Sequence, residues 1–145
     1  MQRLPARVLE EEDVCRLLKH TECQRHPLRN KVIILLSFKA GLRACEISGL
    51  TWPMVLKSNG AIDTQIRVSK HIAKYGSGRP IPLHPELQRC LVKYHRIQGR
   101  PLSGPLVLSG LVTVWFRSLV SHYAPLASKA KGLMPPRYEW RLRAL

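Results

Sequence analysis

Apolar positions in the first forty residues follow helical spacing, in two different styles. In residues 10–20, Val14, Leu17 and Leu18 recur at intervals of three and four, which predicts an amphipathic helix. Its acidic opening, Glu10-Glu11-Glu12-Asp13, suits the positive end of the helix dipole. Pro27 then breaks the chain, and residues 28–40 form a more apolar helix that ends at Gly41, a favoured residue just past a helix. A short helix over residues 43–50 comes next. The period then changes. Asn59-Gly60 is a turn signal, and Ile62 and Gln65-Ile66-Arg67-Val68 alternate as a half-buried strand does. Gly76-Ser77-Gly78 makes a second turn before the extended Pro80-Ile81-Pro82-Leu83. Helical spacing returns at His84-Pro85-Glu86 with Leu87, Leu91 and Tyr94, and stops at Gly99 and Pro101. Leu106-Val107-Leu108 reads as a short strand, and residues 111–123, with Trp115, Phe116, Leu119 and Val120, as a last helix. From Pro125 onward there is no period. The predicted class is α+β, mainly helical, with a small antiparallel β-sheet of two or three strands inserted between helices. Residues 1–124 read as one folded unit and residues 125–145 as an irregular basic tail.

Composition narrows the partners. The 145 residues suffice for one domain, and 45% apolar with 23% charged residues is a globular balance. The longest apolar run, Val32-Ile33-Ile34-Leu35-Leu36, is far short of the ~20 residues that span a bilayer. Met1-Gln2-Arg3-Leu4-Pro5 opens no signal region, so a cytoplasmic protein with no membrane partner is expected. Net charge is +15, and five of the nine acids lie in the first 22 residues. Residues 23–145 therefore carry a large cationic surplus, whose usual neutralising partner is nucleic acid.

The four cysteines, Cys15, Cys23, Cys45 and Cys90, form no Cys-x-x-Cys pair. Cys15, His20, Cys23 and His26 are close in sequence, but Cys15 and His20 point about 140° apart on a helix, so no zinc site is assigned.

Two segments carry the candidate chemistry. In the first, Gly41-Leu42-Arg43-Ala44-Cys45-Glu46-Ile47-Ser48-Gly49-Leu50-Thr51-Trp52, an arginine stands at the start of a helix, where its fork can meet a phosphate. Glu46, three residues on, can hold that guanidinium or satisfy nearby backbone donors, and Trp52 reads as core packing. The second, from Ser69 to Leu83, is a basic hairpin with a glycine-rich tip that offers Lys70, Lys74 and Arg79 to a DNA groove.

In this order the two segments resemble the tyrosine recombinase, or phage integrase, family. That family carries a Gly-Leu-Arg-x-x-Glu-[Leu/Ile]-x-x-Leu-x-Trp box, which residues 41–52 match at every marked position. Its hairpin lysine stands eight residues before a Pro-Leu pair, as Lys74 does before Pro82-Leu83. Arg29-Asn30, opening an apolar helix, is similar to the family too, and the likeness covers residues from about 9 to 120. It implies a catalytic-domain fold, double-stranded DNA and other recombinase protomers as partners, and DNA recombination and integration as the activity. It further implies Arg43 on the scissile phosphate, Lys74 as the acid for the leaving 5′-oxygen, Glu46 in support, and Lys70 and Arg79 as DNA contacts. No metal, cofactor or small-molecule substrate is implied.

The family's second box, His-x-x-Arg, which comes after the hairpin, and the Gly-His pair that precedes its tyrosine nucleophile have no counterpart downstream of Leu83. Tyr75 falls on the hairpin, Tyr94 on a packed helix face and Tyr123 at a predicted helix end. Tyr138, beside the faint echo Trp140-Arg141-Leu142-Arg143, is the remaining nucleophile candidate. The expectation is a shortened recombinase with a frame-shifted tail, inactive in strand transfer alone. One alternative is a helix-turn-helix reader over residues 43–56, which needs a recognition helix starting near Thr51. A basic RNA-binding protein of ribosomal type is another, favoured by charge alone.

Overall fold

The computed structural model describes residues 10–107. Its organising element is α2 (Pro27–Phe38), the helix that carries the five-residue apolar run. Val32, Ile33, Ile34, Leu35 and Leu36 are each at most 1% exposed. A helix apolar on every side must be covered on every side. Here α1 (Glu11–Glu22), α3 (Ala44–Gly49) and α4 (Pro85–Ile97) all pack against it.

Each covering helix has the pattern its position requires. In α1 the stripe is narrow: Leu17 is buried and Val14 and Leu18 are partly so. Its start is held by the Glu10 N–H, which donates to Asp13 at 3.2 Å. In α4, Leu87, Cys90, Leu91, Tyr94 and His95 are buried, a stripe at three- and four-residue spacing. Pro85 takes the first turn, where its missing N–H costs nothing, and His84 Nδ1 accepts the Glu86 N–H at 3.2 Å. His84 is thus a helix-start residue.

Between α3 and α4 the chain builds its small sheet. The Asn59-Gly60 turn joins Leu56 and Ile62, which form an isolated antiparallel bridge. Asn59 Oδ1 accepts the Ala61 N–H at 3.0 Å, and Gly60 takes the left-handed φ of +78°. Strand β1 (Gln65–Val68) then pairs antiparallel with β2 (Arg79–Pro82), with Ile66 opposite Ile81 and Val68 opposite Arg79. Ile66 and Val68 face the core, while Gln65 and Arg67 face solvent. Pro80 and Pro82 cannot donate to a further strand, which suits β2 to an edge.

The architecture is α+β, with four α-helices and a two-stranded antiparallel sheet among the described residues. Two expectations need correction. The second helix closes at Phe38 rather than residue 40, because the chain turns at Gly41, φ +64°, to send Leu42 into the core. Residues 106 and 107 belong to no strand: Pro105 bridges Thr51, and the Leu106 N–H donates to Leu50 O at 2.8 Å. Leu108, the helix expected over 111–123, Tyr123, Tyr138 and the tail from 125 lie outside the described residues. No helix among the described residues is long and apolar enough to cross a membrane.

Candidate nucleic-acid interface

Arg43 occupies the position just before α3, in extended backbone. Its own N–H donates to Glu46 Oε2 at 2.9 Å, so the carboxylate caps the first turn of the helix. Glu46 has no exposed surface. A buried carboxylate needs charged partners, and a second one arrives from the far side of the hairpin. Arg79, the first residue of β2, places Nη1 at 3.1 Å from Oε1 and Nη2 at 3.4 Å from Oε2, a two-pronged pairing. Arg43 Nη1 lies 3.9 Å from the same Oε1.

The electrostatics reflect that count of partners. Burial pushes the Glu46 carboxyl up, but the Arg43 N–H, the Arg79 hydrogen bonds and the two guanidinium charges outweigh it and hold the carboxyl below its ordinary range. Glu46 therefore stays ionised. Two guanidiniums share one negative charge, and their side chains remain 51% and 38% exposed for Arg43 and Arg79. The pair presents a net positive face to solvent, bound to one rigid support.

Packing joins the same two segments a second time. A Cβ at Gly49 would lie 2.5 Å from Ile72 Cγ2, so α3 and the loop after β1 meet where only glycine leaves room. At Gly78 a Cβ would lie 2.9 Å from Val68 O and 3.2 Å from Lys70 N, so the returning chain passes equally close to the outgoing one. The arginine box and the basic hairpin, about thirty residues apart in sequence, are thus packed against one another.

In the hairpin Lys70 and His71 are exposed, and Lys74 opens a tight 3-10 turn (Lys74–Gly76). The Lys74 side chain lies outside what the structure describes. Tyr75 is 90% exposed. Arg67 is held by Asp63, Nη2 to Oδ2 at 2.7 Å. The Thr64 N–H, more than that arginine, keeps the Asp63 carboxyl below its ordinary range.

Other candidates fall elsewhere. Trp52 is core, as its position in the box led us to expect: it stacks on Tyr94 at 5.8 Å and lies 4.8 Å from His95. Tyr94 is a packed helix-face residue whose hydroxyl donates to Leu106 O at 3.3 Å. Arg29 donates through Nε and Nη2 to Asn30 Oδ1, and Asn30 in turn donates to Gln24. Cys90 is buried and its thiol is pushed up to about 11, mainly by burial, while Cys15, Cys23 and Cys45 are exposed. Among the described residues no three His, Cys, Asp or Glu side chains gather as metal ligands would. Residues 52–54 form only a three-residue 3-10 turn with Trp52 buried, so the recognition helix that a helix-turn-helix reader requires is not formed there.

The pairing of Arg79 with Glu46 was missed in the sequence, where Arg79 reads as a free DNA contact and Arg43 as the natural partner of Glu46. One signal pointed to it. Glu46 is the sole acid between Glu22 and Asp63, so any buried arrangement there must draw its basic residues to that carboxylate. Comparison of the chain with protein-family models, with curated proteins and with solved structures gives no match in any of the three.

Proposed function

We propose that this chain binds double-stranded DNA through the face built by the arginine box and the hairpin, as the catalytic domain of a tyrosine recombinase does. One observation carries the reading: Arg43 and Arg79 converge on the buried Glu46 and leave a positive, pre-organised pair at the surface. Arg43 neutralises a non-bridging phosphate oxygen, and Glu46 fixes its position. Lys74 serves the leaving 5′-oxygen, and Lys70 contacts the neighbouring backbone. Other recombinase protomers are further partners.

In this reading the chain by itself binds without transferring strands. The family's reaction is attack of a tyrosine on a phosphodiester, giving a 3′-phosphotyrosine. No tyrosine among these 145 residues follows a Gly-His pair, and Tyr138 is the sole tail candidate.

The test is a titration of a fluorescent ~30-base-pair duplex at several salt concentrations. Binding should weaken steeply between about 50 and 200 mM salt, because each neutralised phosphate releases counterions. Arg43→Ala should lower the affinity and flatten that salt slope by about one contact. Affinity that is flat with salt, or untouched by Arg43→Ala, rejects the reading.

A further inference from the structure

Tyr75 is an aromatic residue in a place where burial gives no reason for one. The Gly76 N–H donates to Ala73 O at 3.1 Å, closing a turn in which Tyr75 takes φ +64° and ψ +21°. This left-handed conformation favours Gly or Asn, and a bulky side chain is strained in it. Elsewhere in the same chain, Gly41, Gly60, Gly99 and Gly104 occupy positions of positive φ, with Arg100 the one other non-glycine among the described residues. The ring gains little from burial in return, being 90% exposed, whereas Trp52 and Tyr94 are buried and Phe38 is partly so. The turn thus holds a strained backbone and presents a large ring to solvent.

The surroundings say what the ring is presented to. Between Asp63 and Glu86 there is no acid, while Arg67, Lys70, Lys74 and Arg79 all fall in that stretch. The tip of a cationic hairpin that carries one outward aromatic ring has the two components of a nucleic-acid contact: charge for the backbone and a π-face for a base or sugar. Strained residues cluster at contact sites of this kind.

We infer that Tyr75 is a DNA-contacting residue that packs its ring on a deoxyribose or base edge in a groove of the bound duplex, anchoring the hairpin tip there. This rests on the DNA-binding reading above and adds a non-electrostatic contact to it. Lysines supply affinity that salt removes; a stacked ring supplies affinity that salt leaves alone.

That difference makes the test. The full chain, as wild type, Tyr75→Asn, Tyr75→Phe and Lys70→Ala, is titrated with the labelled duplex across a salt series, and each variant's thermal midpoint is measured. Asn tolerates the left-handed backbone, so Tyr75→Asn should melt no lower than wild type. Its affinity should nevertheless fall about tenfold, with the salt slope unchanged, and Tyr75→Phe should retain most of the binding. Lys70→Ala should instead reduce the slope. Tyr75→Asn that binds like wild type overturns the inference while leaving the DNA reading intact. Loss of affinity that tracks a lowered midpoint also overturns it, since the ring would then be structural. Wild-type protein that binds no duplex removes the DNA reading itself, and this inference with it.

Discussion

Around Trp52 the polar side chains that go inside each find a backbone carbonyl close by. The Tyr94 hydroxyl meets Leu106 O, and His95 Nε2 lies 2.9 Å from Pro101 O. Around Glu46 the atom group that goes inside is an ion, held by donors from two segments far apart in the chain. The first arrangement is closed: it ties α4 to the segment after it and leaves nothing over. In the second, two cations meet one anion, and the surplus charge faces outward. A single molecule thus uses buried polarity in two ways, once to finish a core and once to support a charged surface.

The comparison breaks first, and most severely, at the core both regions share. Leu35 is fully buried on α2, so Leu35→Ala removes its methyl groups and leaves a cavity in the core. A loss of about 2–5 kcal/mol is expected from denaturant unfolding. Such a loss is a large part of the stability of a small domain, so the Trp52 cluster and the Glu46 support should be lost in one transition. Separate transitions for tryptophan fluorescence and for DNA binding would show two independent units instead.

Glu46→Gln is the next largest effect and should divide the regions. The amide keeps the volume but cannot hold two guanidiniums, and removing the charge should cost about 1–3 kcal/mol. Much of the arginine charge can return to water, which keeps the cost below that of a fully buried pair. The substitution should also change the acid limb of the stability profile. The folded Glu46 carboxyl ionises below its ordinary value, so its contribution is present above the unfolded value of about 4.5 and fades as pH falls through the folded one. Wild type should therefore lose more stability on acidification than Glu46→Gln, measured by denaturant titration at successive pH values. Equal losses would show that Glu46 gains nothing from its partners.

What the sequence disclosed divides along the same line. Local signals were readable: Pro27 and Pro85 at helix starts, the Asn59-Gly60 turn, and Ile66 and Val68 alternating on β1 all stand where pattern and turn chemistry put them. The end of α2 was not, because the place where Gly41 turns the chain depends on Leu42 reaching the core. The site was half legible. Arg43, Glu46 and the hairpin are local motifs, but the Arg79–Glu46 pairing joins residues 33 apart and arises from register and loop packing. Only the fold brings Arg79 and Ile72 to α3, and neither carries a mark in the local sequence.

The smallest expected effect sharpens the comparison from the Trp52 side. Tyr94→Phe keeps the ring that stacks on Trp52 and removes one hydroxyl, leaving Leu106 O without that donor. A neutral hydrogen bond of this kind contributes about 1 kcal/mol, so the unfolding midpoint should fall modestly. Burial also raises the Tyr94 phenol above its ordinary value, so the hydroxyl stays protonated and able to donate throughout the neutral range. The Tyr94→Phe difference should therefore be constant across that range, in contrast with the acid-dependent difference at Glu46. DNA affinity at a temperature where both proteins are folded should be unchanged, because the Tyr94 hydroxyl is spent on Leu106 and not on the charged face. A change in affinity with the fold intact would mean that the Trp52 cluster is wired to the arginine pair, and the two regions would then have to be treated as one.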